Sequence, residues 1–209
     1  MCSGRYVGRV NSVAAKISRR PAFDRDQGVR VAQAMFHARG YDAVGVAELT
    51  AALDIKPPSL YAAYGSKLGL FERALQSYVE TDFLPVSEIL ATEDDPAEAL
   101  TNLFVAAARH YTRNPERRGC MITEAMRADD ADAAAAATAL GESGSQIIRD
   151  YIAAHAPPEA VDRILDYVLI NLRGLSSFAC LGYNAEKLVG CSEVAGRALK
   201  AEFATHAGS

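Results

Sequence analysis

The stretch from 55 to 67 reads IKPPSLYAAYGSK and gathers the ammonium groups of Lys56 and Lys67, the hydroxyl of Ser59 and the phenol of Tyr61. Lysine offers donors and a full charge, and serine and tyrosine hydroxyls donate readily. Such a set suits the holding of oxyanions rather than the breaking of covalent bonds. Two prolines, Pro57 and Pro58, stand in front of it. Inside a helix a proline costs roughly 3 kcal/mol. At the first helical positions its missing N–H costs nothing, and its ring presets the backbone. The residue before a proline is pushed out of the α region, so Lys56 lies outside the helix. The spacing predicts a helix from Pro57 to about Gly65, well short of the ~12–15 residues that stand alone in water. A larger scaffold must hold it. A helix N-terminus attracts anions through its free donors and dipole, but here the prolines remove two donors, so anion contacts must rest on side chains.

Other residues with chemical potential are sparser. Cys120 follows Arg117 and Arg118 and stands at the start of a short predicted helix, a setting that raises thiolate content and suits a sensor of oxidants or electrophiles. A free cysteine is also a small buried hydrophobe in many folds, and both readings stay open. The four cysteines show no paired framework or metal spacing, and the four histidines complete no His-Glu-x-x-His pattern. No glycine-rich phosphate loop or nucleophile elbow occurs. Asp129, Asp130 and Asp132 sit where a helix N-terminus welcomes negative charge. The sequence supports neither catalysis nor a cofactor nor a metal.

The elements that would position these groups are all helical. Asp24 reads as an N-cap with Gln27 as its capping-box partner, Val29, Ala32 and Phe36 recur at helical spacing, and Gly40 closes the segment. Val46, Leu49 and Leu53 mark a second helix. Only Asp54-Ile55-Lys56 separates it from Pro57, which is a helix-turn-helix spacing. Asp54 falls where a left-handed residue is useful, and aspartate tolerates that region. Ser66 caps a long helix to about Phe83, with Gly69 as an unfavourable residue in its first turn. Asp95-Pro96 starts another that ends at Asn114-Pro115. A short helix or turn over 119–128 and a long alanine-rich helix over 133–154 follow, the latter expected to kink at Gly141 to Gly144. Pro157-Pro158 opens a four-turn apolar helix, and a last helix runs from about Ala185 to Ala204. No period-two alternation marks a strand.

Net charge is −4, but it is unevenly spread: residues 1–67 hold ten Lys/Arg against five Asp/Glu, and residues 68–209 hold twelve against twenty-one. A basic first third joined to an acidic remainder points to a polyanionic partner at one end. No apolar run is long enough for a membrane span and no secretory pattern opens the chain. A reducing cytoplasm is the expected location.

The stretch RGYDAVGVAELTAALDIKPPSLYAAYGSKLGLF, with Gly40-Tyr41, Leu49, Ile55, Leu60-Tyr61, Tyr64, Ser66-Lys67 and Phe71, resembles the DNA-binding region of the TetR family of bacterial transcriptional regulators. The resemblance covers about fifty residues; beyond it the chain is similar in length, helix pattern and the element from Pro115 to Cys120. It implies an all-α fold: a flexible basic arm over 1–20, a helix-turn-helix domain over 21–67, and a ligand-sensing, dimerising bundle over 68–209. It implies a homodimeric repressor released from a palindromic, double-stranded operator by a small-molecule effector. Positions matching Ser59, Tyr61 and Lys67 touch the DNA backbone in the family, contacts that fix register without reading sequence. Base reading falls to Lys56, Pro57, Pro58, Ala62 or Ala63, because lysine reaches guanine acceptors and apolar groups pack on a thymine methyl. Gly45, at the second helix's cap, and Arg20, in the arm, complete the expected interface.

Three residues depart from the family pattern: Asp54 replaces a frequent glycine, Gly45 a capping Ser or Thr, and Lys56 another Ser or Thr. The expected effector site draws on Phe104, Tyr111, Cys120, Met121, Glu124, Tyr151, Tyr167 and Asn171. The expected dimer seam draws on Leu172, Leu175, Ser176, Ala179, Leu188, Cys191 and Ala195, with small residues for close helix approach. Two alternatives remain: a helical small-molecule or protein-binding module that has lost DNA binding, and a thiol-based regulator acting through Cys120.

Overall fold

The computed structural model describes residues 23–205, and these form α-helices joined by short loops. In chain order they are α1 (Arg25–Arg39), α2 (Val46–Ala52), α3 (Pro57–Tyr64), α4 (Lys67–Thr81), α5 (Val86–Leu90), α6 (Pro96–Thr112), α7 (Met121–Ala125), α8 (Ala131–His155), α9 (Pro158–Cys180) and α10 (Ala185–Ala204). Arg20 and the expected basic arm lie outside the described residues.

Local signals set most boundaries. The Asp24 carboxylate accepts from the N–H groups of Asp26 and Gln27, Ser66 Oγ from that of Gly69, and Asp95 from those of Ala97 and Glu98. Each satisfies donors that a helix start leaves orphaned. Asp54 takes φ 52° in the turn between α2 and α3, as the spacing predicts. Gly65 ends α3 at φ 81°.

α1, α2, α3 and the first turns of α4 make a head around Phe36, Tyr41, Leu49, Leu60, Tyr64 and Phe71. Phe71 lies 5.1 Å from Phe36 and 4.8 Å from Tyr41, ring centre to ring centre. α4 runs on from this head to pack on α8, so one helix belongs to head and body alike. In the body, α6 lies along α10 and α9, and α8 packs on α9 and α7. α5, a short helix the sequence reading did not separate, closes against α6 and α8.

Two glycine expectations change. α8 is continuous from Ala131 to His155. Gly141 does not break it; a Cβ there would stand 2.0 Å from Met126 Cε, so this glycine admits α7's end onto the helix. Gly69 follows the same logic, since a Cβ would come 2.3 Å from the Tyr64 carbonyl oxygen. Its low helix propensity is the cost of folding α4 tightly behind α3.

Candidate nucleic-acid interface

α3 is fixed from beneath and open above. Leu60, Ala63 and Tyr64 point into the head, and the Tyr64 hydroxyl donates to the Arg25 carbonyl at 2.8 Å. Gly28 lets that tyrosine lie flat on α1, because a Cβ there would meet its hydroxyl at 2.1 Å. The opposite face carries Pro57, Pro58, Ser59, Tyr61 and Ala62, all exposed, with Lys56 exposed as the N-cap. Tyr61 is 49% exposed, one of the few large apolar-bodied side chains left out of the core. A rigid helix thus presents a hydroxyl, a phenol and an ammonium together, with proline and alanine surfaces between them.

Two residues of the expected interface are less exposed than the others. Ala63 is only 8% exposed and belongs to the head core; helical period turns it about 100° from Ala62, and it cannot touch a base. Lys67 is half-buried, with its ammonium 3.8 Å from the centre of the Tyr41 ring. Burial pulls its pKa down, while the nearby carboxylates of Asp42 and Asp130 oppose that shift. Its charge therefore faces the joint between head and body, not open solvent beside Tyr61.

Gly45 is exposed at the start of α2 and caps it without a side chain. The missing hydroxyl is replaced from the other side. Glu48 Oε2 accepts from the Gly45 N–H at 3.0 Å, and Arg39 donates to Glu48 Oε1 and to the Ala43 carbonyl, each at 2.6 Å. This local clamp anchors α2 to the end of α1.

Two long-range contacts join head to body. The Asp42 carboxylate accepts from the N–H groups of Asp129 (2.8 Å) and Asp130 (3.3 Å), just ahead of α8. His37 Nε2 lies 3.2 Å from the Gly119 carbonyl, in the loop after α6; as donor it leaves Nδ1 bare. Burial holds the His37 pKa below its ordinary 6.5, and Arg117, His110 and Arg113 push the same way against the Gly119 bond. The folded chain then binds fewer protons than the unfolded one in acid. The neutral ring's contribution is complete above about pH 6.5 and is lost as pH falls toward the folded pKa. His110 shifts in the same direction through burial. Thermal unfolding from about pH 7.5 to about pH 5.5 should show Tm falling, with a shallower fall in His37→Gln.

A family model described as bacterial regulatory proteins, tetR family, matches residues 29–74, from α1 into α4. The HTH-type transcriptional repressor BdcR of Escherichia coli (strain K12) is 38% identical over 192 residues, covering 91% of this chain and 97% of BdcR. The chain belongs to the TetR family of bacterial regulatory proteins. The HTH-type transcriptional repressor ComR of the same bacterium is 27% identical over 188 residues, covering 85% of this chain and 88% of ComR. Among solved structures, a cysteine mutant of the TetR family transcriptional regulator CifR, complexed with 26-bp double-strand operator DNA, superposes with TM-score 0.76. It is 31% identical and covers 86% of this chain and 99% of that chain.

The body of this TetR-family chain does not gather the expected effector residues at one place. Tyr111 and Cys120 line a cavity of about 70 Å3 with Phe83, Met126, Ile148 and Leu172. Phe104 and Asn171 line another, of about 310 Å3, between α9 and α10. Met121 is buried in the core, Tyr167 donates to the Ala195 carbonyl, and Tyr151 stacks near His155. None of these three borders either cavity. Glu124 is tied down as well: Cys120 N–H donates to Ser176 Oγ at 2.9 Å, and Ser176 Oγ donates to Glu124 Oε1 at 2.7 Å.

Cys120 is buried between the phenols of Tyr78 and Tyr111, both held far above the usual range by burial. The arginines that suggested an activated thiolate point elsewhere. Arg118 donates to the Tyr183 carbonyl, and Arg117 turns toward His37. Burial pushes the Cys180 thiol up to about 11, and it donates to the Arg118 carbonyl.

Most residues of the expected dimer seam are turned inward in the protomer. Leu175, Ser176, Ala179, Leu188 and Ala195 are buried within the protomer, and Leu172 lines the smaller cavity; only Cys191 of that set is exposed. From α9 to α10 the exposed large apolar side chains are Ile170 (69%), Phe178, Leu181, Tyr183 and Val194 (58%). On α9 the positions 170, 174 and 178 share one stripe at helical spacing, which Leu181 continues just past the helix end. α9 is apolar on two sides, and periodicity alone does not say which side its own protomer covers.

Proposed function

We propose that the chain is a transcriptional repressor that binds double-stranded operator DNA as a homodimer and leaves it when a small molecule enters the body. The observation that carries this reading is α3 itself: a short helix started by Pro57, pinned by Tyr64 to α1, with Lys56, Ser59, Tyr61 and Ala62 outward. The repressor function of BdcR and the operator complex of CifR support it. Phosphate contacts from Ser59 and Tyr61 would set register, and Lys56 with the proline and alanine surfaces would read base edges in the major groove.

The exposed stripe of Ile170, Phe178, Leu181 and Val194 supports pairing through α9 and α10. A two-fold dimer places its reading helices for half-sites about 34 Å apart or a multiple of that. For the effector, the cavity beside Tyr111 and Cys120 is favoured because its wall continues into the Gly119 loop, which is bonded to His37 of the head. At about 70 Å3 it lies well below the roughly 300–1,000 Å3 of ordinary ligand pockets. A ligand must therefore push its walls apart, and a state with the head turned would be the one it binds better.

Selection of bound duplexes from a randomised library tests the reading. Wild-type protein should enrich an inverted repeat, and Lys56→Ala should change the preferred base at one position of each half-site by a factor of about 5–100. Failure to enrich any sequence would favour a binding module without an operator.

A further inference from the structure

The joint between head and body contains a polar pocket distinct from both apolar cavities. Its walls are His37 from α1, Asp82 after α4, His110 from α6, and Arg113, Asn114, Arg117 and Gly119 from the loop that follows. Two features there are unbalanced. Arg113 pairs with Asp82, but the half-buried Arg117 guanidinium has no ion pair among the described residues. His37 Nδ1 is buried without a partner, although its ring is held by the Gly119 carbonyl. No group of three or more His, Cys, Asp or Glu among the described residues has metal-holding geometry, so the histidines do not answer to a cation. A buried polar atom with no partner is costly, and an unpaired half-buried cation is an open electrostatic site.

We propose that this pocket binds a small oxyanion group, a phosphate or a carboxylate, with Arg117 as its principal ligand and the His37 ring as the wall behind it. The hydrogen-bond inventory fits. Arginine presents only donors in a planar fork, which matches two oxygens of such a group. His37 Nδ1 is buried, so the ring does not bond the occupant but lies behind it, close enough to feel its charge. The pocket's volume, about 30 Å3, is room for roughly two water-sized atoms. It is open at its mouth, so two oxygens enter and the remainder of the group stays in solvent. That size excludes a bulky molecule and fits an anionic head. Groups facing His37 are the Tyr78 ring, His110, Arg113 and Arg117, the two arginines raising the local potential and Asp82 partly offsetting it through Arg113. An occupant here would touch α1 and the α6–α7 loop at once, which makes it a clasp between head and body.

The test uses the full chain without DNA or inducer, so its result does not depend on the repressor reading. Unfolding is followed with inorganic phosphate and, separately, acetate, against chloride at equal ionic strength. At about ten times the dissociation constant, the bound anion should raise Tm by about 3–5 °C. Arg117→Gln should abolish the increment, and Arg197→Gln, at an exposed α10 arginine that does not line the pocket, should keep it. Phosphate also stabilises proteins weakly by exclusion, so the difference between variants is the decisive quantity. Imidazole NMR signals of the wild type give a second readout: the binding anion should raise the apparent pKa of His37 and leave His155 unmoved. A response to phosphate alone or acetate alone names the group that binds. Equal increments in wild type and Arg117→Gln, or a His37 titration indifferent to both anions, would overturn the proposal.

Discussion

An Ile170→Asp, Val194→Asp double variant is expected to sediment as a monomer and to lose operator affinity by about 100-fold or more. Both side chains are largely exposed in the protomer, at 69% and 58%, so charges there leave its own core intact and act only where a second copy would cover them. An exposed apolar face of this kind is what a second copy would cover in the proposed dimer. A dimer binds its second half-site at an effective concentration set by the tether, and that gain, typically 10²–10⁴-fold, disappears with the interface. The contrast is Ser176→Ala, at a position the sequence pattern places on the seam but the structure buries. It should leave the dimer whole and instead loosen the Cys120 loop, by taking away the hydroxyl that the Cys120 N–H donates to. Sedimentation and operator binding on the same samples separate the two outcomes. A double variant that stays dimeric would relocate the interface.

The second large effect is expected inside the head. Phe71→Ala should destabilise it by about 3–5 kcal/mol, as for other buried phenylalanines. The ring is 1% exposed and wedged between Phe36 and Tyr41. Against a net stability of about 5–15 kcal/mol for a whole domain, such a loss would leave the head substantially unfolded near 37 °C. Circular dichroism should then show an early transition for the head, with the body unfolding later, and DNA binding should fail at temperatures above the first step. Phe71→Leu, which keeps most of the volume, should recover much of both. A single late transition in Phe71→Ala would mean that α4 transmits body stability to the head more strongly than its packing implies.

Much of this architecture was legible because it is written locally. Pro57 starts α3, Ser66 and Asp95 cap their helices, and Asp54 takes the left-handed turn; each depends on neighbours within a few positions. What the sequence hid depends on distance or on phase. Asp42 reaching Asp129, and His37 reaching Gly119, join residues more than eighty positions apart, and no periodicity signals them. Ala63 differs from Ala62 only by one helical step, yet that step carries it from the surface to the core. α9 bears apolar residues on two sides, so its inner and outer stripes look alike until α6 and α10 are placed against one. Gly141 and Gly69 read as weak points in helices because their real neighbours, Met126 and the Tyr64 carbonyl, become visible only when the chain is folded.

The claim beneath the whole account is that the outward face of α3 is the surface that meets DNA. Fluorescence anisotropy with a duplex from upstream of the chain's own gene, titrated across a range of salt, tests it on wild type and Tyr61→Ala. The wild type should lose affinity steeply as salt rises, with a log–log slope of about −4 or steeper for several phosphate contacts per dimer. Tyr61→Ala should bind about tenfold more weakly at every salt while its Tm stays at the wild-type value. Wild-type affinity indifferent to salt, or a Tyr61→Ala protein that binds as tightly as the wild type, would contradict the account.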